Sequence, residues 1–143
     1  MILVDANILI YAKVQDFDQH HRAKSWLEEK LNKPGKVGLP WSVLLAFVRI
    51  TTNPRIFASP MAISEAWAQI QEWIDLPGVW IPLPTNRHAE VLGKLLAESG
   101  SKSNIVPDAH LAALAIEHGL TMCSSDGDFA RFSGLRYENP LVS

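Results

Sequence analysis

The first eleven residues constrain the fold more than any other stretch. An apolar run from Ile2 to Val4 is followed by Asp5, and the apolar residues resume at Ile8. This pattern predicts a buried strand that ends in a carboxylate. In open α/β sheets, ligands bind outside the carboxyl ends of the strands, so Asp5 is placed where a metal ion or a phosphate would bind. Asn7 can add an amide there, although Asp5 could equally be only a helix cap.

The rest of the chain predicts short strands that alternate with helices. Apolar residues at helical spacing follow His20, Trp41, Ser59, Thr85 and Pro107. Short apolar segments at 37–39, 79–81 and 120–123 predict strands, and 135–142 could add a last one. We therefore predict one α/β domain over residues 1–143, with a central parallel sheet flanked by helices on both faces.

Composition excludes several classes of protein. Hydrophobic residues make up 48% of the chain, but no apolar run approaches the roughly 20 residues of a membrane span. The N-terminus lacks the basic region of a signal peptide, and the single cysteine, Cys123, has no partner for an internal disulfide. We expect a cytoplasmic protein with no membrane association. The net charge of −2 means that nucleic-acid binding would need a local basic patch, for which the candidates are Arg49, Arg55 and Lys102.

Three further aspartates occupy positions that resemble that of Asp5. Asp108 lies in the first turn of a predicted helix and heads its apolar stripe. Asp126 and Asp128 lie on the turn that follows the predicted strand at 120–123. Taken singly, each is as easily explained as a helix-dipole or turn residue.

Together, the four aspartates can converge on one end of a parallel sheet. Carboxylates held this close repel each other unless a cation neutralises them, and hard oxygen ligands suit Mg²⁺ or Mn²⁺. Other sites fit less well. The turn after Asp126 lacks the glycine and glutamate of a calcium-binding EF-hand loop, the five histidines show no zinc spacing with Cys123, and no glycine-rich phosphate loop is present.

With these residues, the chain resembles the PIN-domain ribonucleases, most closely the VapC toxins of bacterial VapBC toxin–antitoxin pairs. Four segments carry the resemblance in family order: Val4–Asn7, Phe47–Arg55, Pro107–Ala115 and Ser125–Phe129. The resemblance implies a PIN-like fold and cleavage of RNA that depends on Mg²⁺ or Mn²⁺. It also implies a homodimer and inhibition by a small VapB-type antitoxin.

The resemblance further implies which residues hold the metal. Asp5, Asp108 and Asp126 would be the main ligands, and Asp128 would bind the metal directly or through water. These four residues would make up the catalytic centre.

Residues around the ligands would have supporting roles by the same resemblance. Asn7 and Ser125 would orient the ligands, and Arg49 would hold a phosphate or a carboxylate. One family feature is missing, because Ala46 stands where many PIN nucleases have an acidic residue three positions before this arginine. Ala46 lies on the helical stripe formed by Ser42, Ala46, Arg49 and Asn53.

The predicted function is therefore that of a metal-dependent endoribonuclease toxin. The alternative is a catalytically impaired PIN-like module that uses the same groove to bind RNA or a protein. A phosphatase with an Asp5 nucleophile is disfavoured, because Asn7 stands where such an enzyme would carry its second acid.

Overall fold

A five-stranded parallel sheet forms the centre of the molecule. The computed structural model describes residues 1–100 and 103–142. The strands are β1 (Ile2–Val4), β2 (Val37–Gly38), β3 (Val79–Trp80), β4 (Thr121–Cys123) and β5 (Arg136–Glu138). Their spatial order is β3-β2-β1-β4-β5, and every neighbouring pair is parallel. The chain builds outward from β1 to β3 and then returns to the other side of β1 with β4. This reversal of order opens a crevice at the carboxyl ends of β1 and β4.

In the part of the chain that the structure describes, six α-helices flank the sheet, in agreement with the predicted fold class. They are α1 (Ala6–Lys13), α2 (His20–Asn32), α3 (Trp41–Thr51), α4 (Ile63–Ile74), α5 (His88–Glu98) and α6 (Val106–His118). Helix α1 packs against α2 and α3, α3 packs against α4, and α5 pairs with α6. Two short 3-10 helices cover Ser103–Ile105 and Gly127–Arg131. Among the described helices, none is both long and apolar enough to cross a lipid bilayer.

The core explains why β1 and α6 hold fixed positions. Leu3 and Val4 of β1 are fully buried, and Phe47 and Phe129 pack in the same core. Helix α6 ends at Gly119, whose φ of 68° lies in the left-handed region that favours glycine. The turn at Gly119 leads directly into β4, so the end of α6 and the strand beside β1 are fixed together.

Two predicted helix starts are wrong. Helix α4 begins at Ile63 rather than at Ser59, because the Met61 N–H donates to the Thr51 carbonyl (2.9 Å) and docks the preceding segment on the end of α3. Helix α5 begins at His88, three residues after Thr85, which was predicted to cap it; the Thr85 hydroxyl accepts from the Arg87 N–H (3.1 Å) and donates to Glu117. Lys102, a candidate phosphate contact, lies outside the described residues.

Candidate active site

Asp5 both caps a helix and faces the neighbouring strand. Its N–H donates to the Cys123 carbonyl (2.9 Å), so the pairing of β1 with β4 continues into the site. Its Oδ1 accepts a hydrogen bond from the Ala6 N–H (2.8 Å), which caps α1. Its Oδ2 accepts one from the hydroxyl of Ser124 (2.7 Å). The two interpretations of Asp5 from the sequence are therefore compatible.

The hydroxyl of Ser124 is the centre of a hydrogen-bond network. It is fully buried, donates to Asp5, and accepts from the Asn7 amide (3.1 Å) and from the Asp126 N–H (3.0 Å). One donor and two acceptor positions are the full capacity of a hydroxyl. Ser124 thus fixes Asp5, Asn7 and the start of the turn at Asp126 relative to one another.

Ser125, which the resemblance implies as an orienting residue, contacts Asn7 through its backbone. Its N–H donates to Asn7 Oδ1 (3.3 Å), and the orienting hydroxyl belongs to Ser124. A sequence signal for Ser124 exists, because it directly follows β4 just as Asp5 directly follows β1. The register that pairs Val4 with Cys123 makes Ser124 and Asp5 neighbours.

The other carboxylates gather at the same end of the sheet. Asp126 caps the 3-10 helix through its Oδ1, which accepts from the Asp128 N–H (2.9 Å). Asp128 is exposed and lies 3.5 Å from the guanidinium of Arg131. Asp108, on the first turn of α6, lines a hollow of about 320 Å³ together with Asp126, Asp128 and Arg131.

The carboxylates are close enough to raise one another's pKa. Burial, followed by the charges of Asp126, Asp5 and Asp128, raises the pKa of Asp108 to about 6. Burial also raises the pKa of Asp5, and the hydrogen bonds from Ser124 and Ala6 offset only part of this effect. The guanidinium of Arg131 offsets only part of this charge, so the site concentrates negative charge.

The carboxylates of the site are chemically suited to bind a hard divalent cation, but they are not arranged to surround one. Across residues 1–100 and 103–142, no three His, Cys, Asp or Glu side chains are arranged to hold a metal ion. Unneutralised carboxylates repel one another, and the two oxygens of Asp5 are turned toward Ala6 and Ser124. The available ligand atoms are carboxylate oxygens, which Mg²⁺ and Mn²⁺ prefer.

A cleft of about 550 Å³ adjoins the carboxylates and runs between α3 and the start of α6. Asp5 and Asp108 line it, and Ser42 and Ala46 of α3 form part of the facing wall, as the predicted stripe requires. The next residue of α3 on this wall is Ile50.

The structure does not bring the basic candidates to the cleft wall. Arg49 is exposed on α3, and Ile50 beside it lines the cleft instead. Arg55 is also exposed, beyond the end of α3. A phosphate-binding role for Arg49 remains a prediction that the wall geometry does not support.

A row of hydrogen-bonded polar side chains, which was not predicted from the sequence, leads to the wall of the cleft. His110 lines the cleft, and its Nδ1 lies 3.1 Å from His88 Nε2. His88 Nδ1 lies 2.5 Å from Glu117 Oε2, and Glu117 Oε1 accepts from the N–H (2.9 Å) and the hydroxyl (2.6 Å) of Thr85. His110 and Glu117 are seven residues apart on α6, which places them on the same face of the helix. This spacing could have indicated from the sequence that the two side chains belong together.

The charges along this row follow from its surroundings. Burial opposes ionisation of Glu117, but hydrogen bonds from Thr85 and His88 outweigh it and hold the pKa of Glu117 below its ordinary value. Burial, aided by His88 and opposed by Glu117, lowers the pKa of His110. Glu117 is therefore a carboxylate and His110 a neutral imidazole near pH 7.

Comparisons with known proteins agree with this geometry. The family model of the PIN domain matches residues 2–135. Ribonuclease VapC37 of Mycobacterium tuberculosis is 41% identical over 140 residues, which cover 98% of this chain and 97% of that protein. The crystal structure of M. tuberculosis VapC20, a sarcin-ricin loop cleaving toxin, matches with a TM-score of 0.68 and 21% identity over 95% of this chain and 99% of that one. VapBC2 from Rickettsia felis, bound to a DNA fragment from its promoter, matches with a TM-score of 0.67 and 17% identity over 97% of this chain and 98% of the other.

Proposed function

This chain belongs to the PIN-domain family, among the VapC ribonucleases, and we propose that it is a metal-dependent endoribonuclease that acts as the toxin of a toxin–antitoxin pair. The observation that carries the proposal is the gathering of Asp5, Asp108, Asp126 and Asp128 where the strand order reverses. Mutual repulsion in this cluster is the physical reason for a cation to bind there.

In the proposed site, Asp5, Asp108 and Asp126 hold Mg²⁺ or Mn²⁺, and Asp128 contributes directly or through water. When bound, the cation would activate water for attack on the phosphodiester and stabilise the leaving oxygen. Ser124 holds Asp5 in place through its hydroxyl. Asp128 and Arg131 are exposed, so solvent and ligands can reach that side of the site.

The cleft between α3 and α6 is the proposed place for the RNA strand. It opens beside Asp5 and Asp108, and its wall toward α3 is largely apolar, with Val43, Ala46 and Ile50. An apolar wall beside an acidic floor suits a ribose or base face next to the carboxylates that would hold the cation.

The proposed partners are a VapB-type antitoxin and a second copy of this chain. The relative from Rickettsia felis is a VapBC assembly, which supports an antitoxin partner here. Exposed Trp41, Ile63 and Trp67 give α3 and α4 an apolar outer face of the kind that a helix or a second subunit covers.

The experiment that tests the enzyme is incubation of the purified protein with total cellular RNA, with and without Mg²⁺, followed by mapping of the cut ends. Discrete cuts that need Mg²⁺ are expected.

Asp5→Asn should abolish cleavage and toxicity while the fold survives. Its melting temperature without metal should hold or rise, because one charge leaves the cluster. An Asp5→Asn variant that cleaves fully would remove Asp5 from the centre.

A non-catalytic module that binds RNA or a protein is the second candidate, and Ala46 favours it. The side chain lines the cleft but offers no carboxylate where many family members have one. RNA binding without any Mg²⁺-dependent cuts would establish this alternative over the nuclease.

A further inference from the structure

Arg131 brings a positive charge to the carboxylates of the proposed metal site. It lines the hollow of about 320 Å³ together with Asp108, Asp126 and Asp128. A guanidinium stays protonated in proteins, so this charge does not depend on its surroundings. Among the described residues that line this hollow and the adjoining cleft, Arg131 is the one lysine or arginine. Apart from a bound cation, it is therefore the source of fixed positive charge on the described walls.

The backbone of Arg131 is anchored, although its side chain is exposed. Arg131 ends the 3-10 helix Gly127–Arg131 and lies between Phe129 and Phe132, whose buried rings have their centroids 6.0 Å apart. The Phe132 N–H donates to the Phe129 carbonyl (3.3 Å), which closes this turn. The guanidinium therefore extends from a fixed turn toward the carboxylates and solvent.

The contact between Arg131 and Asp128 leaves the guanidinium available to another anion. Its Nη2 lies 3.5 Å from Asp128 Oδ1, whereas a charge-assisted hydrogen bond is about 2.7–2.9 Å long. The two side chains are 36% and 62% exposed, and exposed ion pairs contribute little to stability. The planar fork of a guanidinium matches two oxygens of a phosphate. Exchange of Asp128 for a phosphate would therefore cost little and add hydrogen bonds.

Arg131 also lies where a strand bound in the cleft would continue. Asp108 lines both the cleft and the hollow, so the two cavities meet at this carboxylate. A strand that lies in the cleft and passes Asp108 enters the hollow that Arg131 lines. The carboxylates there repel a phosphate, and the guanidinium is the group that attracts one.

We propose that Arg131 binds one phosphate of the RNA strand where the strand passes from the cleft into the hollow. The inference rests on the proposed ribonuclease function, for which it names a residue that holds the substrate backbone. The contact carries no sequence information, since it is made to the phosphate and not to a base.

Binding of a labelled RNA 12-mer over a series of salt concentrations tests the contact, with Ca²⁺ in place of Mg²⁺ and a gel to check that the RNA stays intact. Arg131→Gln should bind about tenfold more weakly than wild type at low salt, as expected for a lost hydrogen bond to a charged group. The slope of log K against log salt should become shallower by about 0.7, the value for one phosphate of a single strand. Wild-type affinity and slope in Arg131→Gln would overturn the proposal.

Two further variants show what the side chain contributes. Arg22→Gln, the same change at an exposed position of α2, should leave affinity and slope close to wild type. Arg131→Lys should keep the slope, because the charge remains, but should recover only part of the affinity, because lysine lacks the planar fork. Equal losses in Arg22→Gln and Arg131→Gln would show a general effect of charge and would also overturn the proposal.

RNAs that carry one neutral methylphosphonate at successive positions show whether the contact is local. The series is built on an RNA that spans a mapped cut, so that its register in the cleft is fixed. Wild-type protein should lose affinity when the phosphate at Arg131 is neutral, whereas Arg131→Gln should lose nothing more at that position. The same profile in both proteins would overturn the proposal.

Calorimetric titration with Mn²⁺ separates this role from one at the metal. Removal of a positive charge should leave Mn²⁺ affinity equal or higher in Arg131→Gln. Weaker Mn²⁺ binding together with weaker RNA binding would assign Arg131 to the metal site instead and overturn the proposal.

Failure of this contact and failure of the nuclease give different results. Mg²⁺-dependent cuts by wild type, with unchanged RNA binding by Arg131→Gln, would uphold the nuclease and reject the contact. Where total RNA shows no cuts, the salt series alone decides, and the expected loss in Arg131→Gln would uphold the contact and reject the nuclease. A wild-type protein that does not bind the 12-mer would overturn the proposal.

Discussion

Ser124 shows how much of this site depends on one small side chain. Its buried hydroxyl satisfies three partners, and Asp5 has only this hydroxyl and the more distant Asn7 amide on its Oδ2. Ser124→Ala should lower the free energy of unfolding by about 1–3 kcal/mol, because buried polar groups lose their partner. It should also lower cleavage about 10- to 100-fold, as a lost orienting residue does at metal sites.

Ser125→Ala is the matched control for this change. Ser125 acts through its backbone N–H, which alanine keeps, so stability and cleavage should stay close to wild type. Urea unfolding and an RNA cleavage assay on both variants make the comparison. Equal effects of the two substitutions would contradict the network centred on Ser124.

Asp108 should make the stability of the metal-free protein depend on pH. Its folded pKa of about 6 lies above its ordinary value of 3.8, so the folded state holds the proton more tightly than the unfolded state. Stability should therefore fall as the pH rises from about 4 through 6 and stay lower above that range.

Asp108→Asn should remove this loss of stability. At pH 8 without metal, the variant should be about 1 kcal/mol more stable than wild type, a value discounted because Asp108 is only half-buried. At pH 4 the two proteins should be nearly equal. Urea unfolding in EDTA at pH 4, 6 and 8 measures the difference, and parallel curves for the two proteins would rule out the electrostatic cost.

The rotation of α3 decides what its cleft-facing residues can do. Ala46 lines the cleft near Asp5, so Ala46→Glu should add a carboxylate beside the cation. Mn²⁺ binding should tighten about tenfold, and stability without metal should fall through like-charge repulsion. Calorimetric titration compares this variant with Ala97→Glu, the same change at an exposed position of α5. Unchanged affinity in Ala46→Glu would mean that this face of α3 does not serve the metal.

Helices α3 and α6 show how much of the site can be predicted from the sequence alone. Pro107, after which the sequence predicts a helix, lies in the first turn of α6, and the predicted stripe placed Ala46 on the cleft. Arg49 and Ile50 are adjacent on α3, and their side-chain directions differ by only about 100° around the helix axis. The spacing of the residues does not show which of the two faces the cleft, because each of them continues a stripe at helical spacing.

Side chains whose roles depend on contacts between elements could not be predicted. The identity of Ser124 as the orienting residue depends on the register of β1 with β4. The link between His88 and His110 depends on how α5 packs against α6, and nothing in either helix alone indicates it. Aspartates that follow strands could be predicted, because the ends of parallel strands share one edge of the sheet whatever their order.

At the scale of the whole molecule, the exposed apolar face lies on α3 and α4. Trp26 of α2 and Trp67 of α4 are two candidates for the centre of an interaction surface. Trp26 is half-buried, with the ammonium of Lys30 5.9 Å from its ring centroid. Trp67 is 41% exposed and stacks on Trp41, which is 40% exposed, with ring centroids 6.3 Å apart. The surface around Trp67 is therefore the better candidate for a subunit contact.

A homodimer through this face is the last prediction. Stacked, half-exposed tryptophans are typical of interface centres, where burial of their remaining surface stabilises association. Trp67→Glu should convert a dimer into a monomer without unfolding it, because the ring is not part of the buried core. Val142→Glu places the same charge on an exposed apolar residue elsewhere and should leave the dimer intact. Sedimentation at micromolar concentration measures both variants, and a wild-type protein that sediments only as a monomer would exclude the dimer and leave this face to the antitoxin.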